Sequence, residues 1–341
     1  MPSIRPIRED ADELVVAATH NGPFHADDVV AGALLLSMGP EITFIRTRDP
    51  EQIAEADVVF DVGGVHDPST WRLDHHQFRS TEARVRSRFM PAVPLSSAGM
   101  TLEAMVDSGA MSEDVAEIVY RDLVAAIDLH DNGEASPPPM GHPHGATLSG
   151  VLSRFNPNWD DENKDFDAAF HRAVMWALES LVLPAIASAE STIRAREIVA
   201  SAVKPGNPIA VLPVAVPGAR DMVLDLDAEV DFLVHPSDFG GWMVMTVPPS
   251  REDAFSQRVP LPAEWAGLRG EELNAELAKA GVRTDVLEAG IAANPSSVFT
   301  HTGRFCGGHG TKEAAIAMAM AAFYHKVKRE ARREVLRGPK A

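Results

Sequence analysis

Short β-branched runs alternate with helical patterns along the first 64 residues, and this alternation constrains the fold more than any other feature. "LVVAAT" (14–19), "EITFIRT" (41–47) and "ADVVFDVGG" (56–64) are typical of strands. The apolar helical pattern "ADDVVAGALLLSM" and the shorter "DPEQIAE" separate them. Strands that alternate with helices in this way predict a parallel sheet with helices on its faces.

Polar side chains stand where two of these predicted strands end. His20, His25 and Asp27 follow the first strand, and Asp61 lies at the end of the third. Ligands of open parallel sheets bind in the crevice at the carboxyl ends of the strands. We therefore expect these groups to converge although they are far apart in the sequence. The triplet Asp74-His75-His76 extends the candidate set, and so does Asp128, on the shoulder of the apolar stripe of a helix predicted over 112–133.

This candidate set combines imidazoles with carboxylates and contains no thiolate. Such nitrogen and oxygen donors suit Mn²⁺, Mg²⁺, Co²⁺ or Fe²⁺ better than a closed structural zinc site. The set is larger than one ion needs, and a pair of ions about 3.5–4 Å apart, which activates water for in-line attack at phosphorus, is its natural use. We expect two divalent ions, with Mn²⁺ favoured and Mg²⁺ or Co²⁺ as alternatives. A structural site and a chance grouping remain open.

Composition narrows the class of protein. A length of 341 residues is typical of two domains. No run of about 18 apolar residues exists and the N-terminus lacks the apolar core of a secretion signal, so we expect no membrane association. The single cysteine, Cys306, favours a reducing, cytoplasmic location.

The formal net charge of −18 disfavours bulk binding of nucleic acid, although cations and arginines can reverse the field locally. Two basic clusters are candidates for such a reversal. They are Arg79, Arg84, Arg86 and Arg88, and Lys326, Lys328, Arg329, Arg332, Arg333 and Arg337.

A helical pattern from about 162 to 203, kinked or broken at Pro184, predicts a linker between two domains. We predict boundaries at 1–160, 161–204 and 205–341. Strand-like runs follow at "PIAVLPV", "DFLVHP" and "GWMVMTV". "GGHGT" (307–311) is predicted to be a glycine-rich loop that opens the last helix, whose backbone N–H groups would cradle a phosphate or carboxylate. A tight turn with a helix N-cap is the alternative.

Nine short segments carry a resemblance to a known family, in an order kept from residue 18 to about 320. They are "THNGPFHADD", "RTRDP", "DVGGVHDP", "RLDHHQ", "LSSAG", "DNG", "SRFNPNW", "PLPAEWAGLR" and "FCGGHGT". This set resembles the melanocyte-proliferating-gene-one family, which is similar to the DHH phosphoesterases. The resemblance implies an α/β fold in which a DHH-type parallel-sheet domain is joined by a long helical linker to a smaller α/β C-terminal domain, with the site in the cleft between them.

The resemblance also implies roles for residues. The implied metal ligands are His20, His25, Asp27, Asp61, His75 and Asp128. Catalytic roles fall to His76, beside the metals or on a phosphate oxygen, and to Asp74, which would orient the histidine pair. His25 stands where many DHH enzymes have the first aspartate of D-x-D, which replaces a charged oxygen by a neutral nitrogen. Substrate contacts are assigned to Gly307, Gly308, His309, Arg304, Arg154, Asn156 and Arg258.

The function expected from these motifs is that of a metal-dependent phosphodiester hydrolase. The resemblance favours a 3′–5′ exonuclease acting on single-stranded RNA or short oligonucleotides. One rival is a small-molecule phosphatase or pyrophosphatase that uses the same site, and another is a non-enzymatic, metal-stabilised binding protein. The expected partner is an oligonucleotide or a small phosphate ester, and a homodimer is left open.

Overall fold

The chain divides into two units, Met1–Ile193 and Arg194–Ala341, and each contains a five-stranded sheet. The computed structural model describes residues 14–39, 41–78, 80, 82–135 and 147–337. Both sheets contain parallel strand pairs and both carry helices, which confirms the predicted α/β class. The three-segment boundaries at 160 and 204 stay a prediction.

The sheet of the first unit is largely parallel. Its strands are β1 (Val15–Thr19), β2 (Ile42–Arg46), β3 (Val58–Phe60), β4 (His66–Asp67) and β5 (Arg72–Leu73), in the order β2-β1-β3-β5-β4. β1 pairs in parallel with β2 and β3, and β3 with β5, while β4 is an antiparallel edge strand. The carboxyl ends of β1, β3 and β5 therefore meet at one edge.

Alternating side chains give this sheet two unequal faces. Val58 and Phe60 belong to the main core, while Val59, between them, packs with Ile53 on the other face. Full burial of a side chain such as Phe60 contributes about 1.5–3 kcal/mol. The helices of the first unit are α1 (Ala26–Ser37), α2 (Pro50–Glu55), α3 (Ser97–Asp107), α4 (Glu113–Val119), α5 (Ala125–Asp131), α6 (Leu148–Leu152) and α7 (Phe166–Ala177). Only the short α2 lines the second face closely enough to join its apolar cluster, within the described residues.

Two long helices contain wide π-helical turns. The helix predicted over 112–133 consists of α4, a π segment at Tyr120–Val124, and α5. The second π segment, Leu178–Val182, joins α7 to α8 (Leu183–Ala202). Pro184 lies two residues beyond its end, and because proline has no N–H to donate, a wider turn accommodates the missing hydrogen bond. The predicted irregularity at Pro184 is therefore present as a π segment.

One helix in the described part of the chain, Phe166–Ala202, is long and apolar enough to cross a membrane by length and composition alone. Of its most apolar 18-residue window, 28% is buried inside the molecule. Core helices of soluble proteins meet the same criterion, which makes this weak evidence. The expectation of no membrane association stays a prediction.

The second unit has a mixed sheet. Its strands are β6 (Ile209–Val211), β7 (Phe232–Pro236), β8 (Trp242–Thr246), β9 (Phe299–Thr300) and β10 (Cys306–His309), in the order β6-β7-β8-β10-β9. β6 and β7 are parallel, and the other pairs are antiparallel. Three further helices are α9 (Ala219–Asp225), α10 (Gly270–Lys279) and α11 (Thr284–Ala293), and a fourth, α12 (Lys312–Arg337), packs its alanine- and methionine-rich face against the sheet.

Candidate metal centre

The carboxyl edge of the first sheet brings together side chains from three strands. His20 follows β1, Asp61 follows β3, and His75 lies two residues beyond β5. The Nε2 atom of His20 lies 3.3 Å from Oδ2 of Asp61, and Nε2 of His75 lies 3.2 Å from Oδ1 of the same carboxylate. The structure thus makes Asp61 the hub of a cluster whose members are far apart in the sequence.

The start of α1 adds a second group of side chains to this edge. His25 is the N-cap residue, and its backbone N–H donates to Oδ1 of Asp28 at 3.0 Å. Asp27 is 1% exposed, and its Oδ2 accepts a hydrogen bond from the Ser97 hydroxyl at 3.0 Å. The other oxygen of Asp27, Oδ1, is buried and has no hydrogen-bond partner among the described residues. A buried carboxylate oxygen without a donor is costly, and a cation would satisfy it.

Three sets of side chains place ligand atoms within 4.8 Å of one another, as a metal ion requires. Asp61 and His75 each belong to two sets, so the three sets form one continuous cluster of donors. Carboxylate oxygens and imidazole nitrogens are the donors that Mn²⁺, Co²⁺ and Fe²⁺ accept. The residues present therefore fit one or two divalent cations. The sets are His20, His25 and Asp61; Asp61, His75 and His76; and Asp27, His75 and Asp131.

Electrostatics at this edge also favour a cation. Burial and the neighbouring carboxylates of Asp61, Asp131 and Asp28 hold the pKa of Asp27 well above its usual range. Burial likewise raises the pKa of Asp131. For His20, burial lowers the pKa, but its contacts with Asp28 and Asp61 outweigh burial and raise the pKa to about 10. The carboxylates crowded into this buried cluster therefore repel one another, and a bound cation would relieve that repulsion.

Strain in the backbone aims Asp61 into the cluster. Its φ angle is +57°, in the left-handed region that non-glycine residues seldom occupy. Such a conformation costs about 1–3 kcal/mol and is kept where the surroundings hold it. The following loop is fastened by Asp74, whose Oδ2 accepts a hydrogen bond from the Gly64 backbone N–H at 2.6 Å.

Asp74 also fixes the second histidine of the triplet. Its Oδ1 lies 2.8 Å from Nδ1 of His76 and accepts the His76 backbone N–H at 3.0 Å. The hydrogen bond to Asp74 raises the pKa of His76. Because the side chain of His76 is 62% exposed and Nδ1 is held by Asp74, Nε2 is the nitrogen left for an incoming group.

The expectation for Asp128 is corrected by its position, since Asp131 and not Asp128 contributes to the donor sets. Asp128 is fully buried, and its carboxylate accepts hydrogen bonds from the backbone and hydroxyl of Ser96, from the Gly99 N–H, and from the Tyr120 hydroxyl. Burial nevertheless raises its pKa to about 7. Asp128 thus ties α5 to the start of α3 and to Tyr120.

The close approach of Asp128 explains the glycine of "LSSAG". A Cβ atom on Gly99 would overlap with Oδ2 of Asp128 and would come within 2.7 Å of a Leu95 methyl group. The same segment supplies Ser97, whose hydroxyl holds Asp27. By holding the start of α3, Asp128 therefore also supports Asp27 indirectly, through Ser97.

Asn156, assigned from the sequence to substrate binding, instead holds the loop that follows β1. Its Oδ1 accepts the Phe24 backbone N–H at 3.0 Å, and its Nδ2 donates to the Phe24 carbonyl at 2.9 Å. Phe24 lies between His20 and His25 and is 1% exposed. The side chain of Asn156 thus pairs with this loop as a neighbouring strand would. Arg154, the other residue assigned from this segment, is exposed.

Replacing Asn156 by Ala is expected to weaken Mn²⁺ binding about 10–100-fold, the usual effect of losing a group that orients metal ligands. The reason is that both hydrogen bonds to Phe24 disappear while no donor of the cluster is removed. Calorimetric titration with Mn²⁺ measures the change, and Asn158→Ala, an exposed asparagine two residues away, is the matched control. Equal affinities in the two variants would contradict the role given to Asn156.

The glycine-rich segment of the second unit is not the predicted loop at a helix start. Gly307 and Gly308 lie in β10, an inner strand whose backbone pairs with β8 and β9. A Cβ atom on Gly308 would come within 2.9 Å of the carbonyl oxygens of Ser297 and Trp242. These glycines allow the backbones to pack closely and do not form an anion cradle, and α12 begins only at Lys312.

His309, also assigned to substrate binding, is a fully buried structural residue. The Gly310 N–H donates to its Nδ1 at 3.0 Å, so the proton lies on Nε2, which donates to Oδ1 of Asn274 at 3.0 Å. Burial lowers the pKa of His309 to about 4. No surface of this imidazole is left for a substrate.

The low pKa of His309 predicts acid sensitivity of the second unit. An unfolded histidine has a pKa near 6.5, so between about pH 6.5 and 4 the unfolded state binds more protons and stability falls as the pH drops. The expected loss from pH 6.5 to 4.5 is about 2 kcal/mol. Urea unfolding, read by pulsed hydrogen exchange of β7 and β8 peptides at one labelling pH, measures it. The variant His309→Gln should lose less over the same range, and equal losses would refute the prediction.

Arg258 and Arg304 line a small groove of about 190 Å³ in the second unit, together with Lys326, Arg329 and Arg333 of α12. The guanidinium of Arg258 donates to the carbonyls of Ala228 and Val230. The assignment of Arg258 and Arg304 to substrate binding stays a prediction.

The arginine cluster after the histidine pair is largely neutralised by nearby groups. Arg84 bonds to Glu134, Arg88 to Asp107 and Glu103, and Arg86 to a backbone carbonyl. Arg79 lies outside the described residues. Arg84 and Arg88 are therefore paired with carboxylates, whereas the contact of Arg86 with a neutral carbonyl leaves its charge in place.

A two-unit α/β protein with a carboxylate–imidazole centre at a sheet edge is thus defined, and it has known relatives. The family model MYG1_exonuc, described as an uncharacterised protein family (UPF0160), matches residues 16–323. The chain belongs to this family.

Its relatives match along most of their length. The Mus musculus protein named MYG1 exonuclease is 32% identical over 336 residues, covering 89% of this chain and 83% of the mouse protein. The human MYG1 exonuclease is 32% identical over 335 residues, covering 89% and 84%. The MYG1 protein of Chlamydia trachomatis is 29% identical, covering 84% and 89%. A crystal structure of exonuclease RecJ bound to manganese aligns over 91% of this chain and 89% of that chain at 11% identity and a TM-score of 0.24, too low to support a conclusion.

Proposed function

We propose that this chain is a divalent-metal-dependent phosphodiester hydrolase that removes nucleotides from the 3′ end of single-stranded RNA or short oligonucleotides. The observation that carries the proposal is the convergence of three donor sets on Asp61 and His75 at the carboxyl edge of the sheet. The names of the mouse and human relatives, MYG1 exonuclease, agree with it.

The donor residues form two proposed cation sites. His20, His25 and Asp61 would hold one cation, and Asp27, His75 and Asp131 a second, with Mn²⁺ favoured. When bound, such ions neutralise charge on the phosphate and make water a stronger nucleophile at neutral pH.

His76 is the group suited to meet the substrate. Because Asp74 raises its pKa, His76 keeps a proton at neutral pH more readily than a free histidine does. With Nδ1 bonded to Asp74, the Nε2–H can donate to a phosphoryl oxygen or to the leaving oxygen. Asp74 positions this imidazole and does not contact the substrate itself.

Hydrolysis of a small phosphate ester or of pyrophosphate at the same centre is the second candidate. The net charge of −18 favours it, because a long polyanion is repelled more strongly than a small substrate.

A substrate comparison tests both proposals. Purified protein with Mn²⁺ is given 5′-labelled single-stranded RNA, pyrophosphate and nucleoside monophosphates, each with and without excess EDTA. A descending ladder of 5′-labelled products that EDTA abolishes is the expected result. Free phosphate formed faster than the RNA shortens would select the second candidate. Intact substrates at every pH and with Mn²⁺, Mg²⁺ and Co²⁺ would refute hydrolysis and leave a metal-stabilised binding protein.

A further inference from the structure

A cavity of about 660 Å³ opens beside the candidate metal centre, on the sheet face that α2 covers only in part. His20, Asp61, Asp74 and His76 form the wall that it shares with the centre. A group seated in the cavity therefore lies next to the cluster. Its volume is in the range of about 300–1,000 Å³ that is usual for small-molecule sites.

The remaining wall of the cavity is apolar. Ile53 reaches it from α2, Val59 from β3, and Val62 and Val65 from the loop that follows β3. Val65 is 50% exposed although it lies beside a cluster of charged groups. A concave apolar lining next to polar, reactive side chains is typical of a ligand site.

Two arginines complete the cavity and differ in what they offer a ligand. The guanidinium of Arg72 is used by the chain itself, since it donates to the carbonyls of Ala56, Asp57 and Thr70. Arg48 is exposed, and its Nη1 bonds to Asn21. Arg48 therefore brings a positive charge to a cavity whose lining also contains Asp61 and Asp74.

We propose that this cavity binds the base and sugar of the terminal nucleotide, while its phosphate lies at the metal centre. The inference rests on the proposed function and adds a specificity site to it. A phosphate alone would gain nothing from a wall of valine and isoleucine, whereas a base buries its faces against such a wall. The guanidinium group of Arg48 can stack on the π face of a base or form an ion pair with a neighbouring phosphate.

The test compares two RNA oligonucleotides that differ only in whether the 3′-terminal nucleotide has its base or is abasic. The wild type should cleave the base-bearing oligonucleotide with a kcat/KM at least about tenfold higher, the usual worth of a lost apolar group in a pocket. Val65→Ser should remove most of this preference by raising KM for the base-bearing substrate and should leave the abasic substrate unchanged. Val214→Ser is the matched control, because this valine in the second unit is 48% exposed. Equal wild-type rates on the two substrates, or equal losses in Val65→Ser, would overturn the inference.

A binding measurement separates failure of this inference from failure of the proposed function. If the wild type cleaves neither oligonucleotide, equilibrium dialysis with Mn²⁺ compares adenosine 5′-monophosphate with ribose 5-phosphate. Tighter binding of adenosine 5′-monophosphate that Val65→Ser weakens about tenfold supports the pocket without the exonuclease activity. Equal binding of the two ligands, or binding that Val65→Ser does not change, refutes the pocket.

Discussion

Asp61→Asn is expected to lower kcat/KM for RNA cleavage about 1,000-fold. Asp61 belongs to two donor sets and contacts the imidazoles of His20 and His75, one from each proposed cation site, so its charge lies beside both sites. Metal ions contribute several kcal/mol of charge stabilisation to such reactions, and about 4 kcal/mol corresponds to three orders of magnitude in rate. Steady-state kinetics with Mn²⁺ and a 5′-labelled oligonucleotide measure the effect.

This variant should fold, because asparagine tolerates the left-handed backbone at position 61 at least as well as aspartate does. Asp122→Asn is the matched control, since Asp122 is an exposed aspartate of the same unit outside the donor sets. Wild-type rates in Asp61→Asn, with Mn²⁺ still bound, would show that the cluster does not perform the reaction.

Asp128→Ala is expected to destabilise the first unit by about 3–5 kcal/mol, even without metal. The change leaves the N–H and hydroxyl of Ser96, the Gly99 N–H and the Tyr120 hydroxyl buried without their acceptor. It also leaves a cavity where Gly99 allows the carboxylate to approach closely. Urea unfolding, followed by hydrogen exchange of β1 and β3 peptides, measures the loss, and β7 and β8 peptides serve as the internal control.

Asp131→Ala should behave in the opposite way. Burial raises the pKa of Asp131 and its carboxylate adds to the repulsion in the cluster, so its removal should leave metal-free stability unchanged or slightly higher. Mn²⁺ affinity should fall instead. If Asp131→Ala unfolds the first unit while Asp128→Ala only weakens Mn²⁺ binding, the two residues have been assigned the wrong way round.

Much of the first unit could be predicted from the sequence because its signals are local. The β-branched runs before His20 and Asp61 mark strands, and parallel pairing brings the ends of such strands to one edge. Convergence of His20 and Asp61 therefore follows from strand positions alone, whereas His75 follows β5, which the sequence did not predict. Strands as short as β4 and β5, with two residues each, give no such signal.

The choice between Asp128 and Asp131 could not be made from helical periodicity. Both residues lie in α5, three positions apart, which places them on the same side of the helix. The π segment Tyr120–Val124 precedes them and rotates the residues that follow, a shift that a regular period of 3.6 does not contain. The segment "DNG", which begins with Asp131, was the available signal for this residue.

The second unit misled sequence reasoning for a different reason. Glycines in "CGGHG" are typical of a loop, yet Gly307 and Gly308 stand in an inner strand because neighbouring backbones leave no room for a side chain. Histidine is a common ligand-binding residue, but both ring nitrogens of His309 are hydrogen-bonded within the protein, to Asn274 and Gly310. The roles of these glycines and of His309 are set by packing between segments that are distant in the sequence. Such contacts cannot be read from a single sequence.

Anomalous diffraction at the manganese edge, from crystals grown with Mn²⁺, tests the metal centre most directly. We predict two manganese peaks at the carboxyl edge of the first sheet, one bound by His20, His25 and Asp61 and the other by Asp27, His75 and Asp131. Peaks located elsewhere, or a well-ordered edge without manganese at saturating concentration, would contradict the proposed hydrolase.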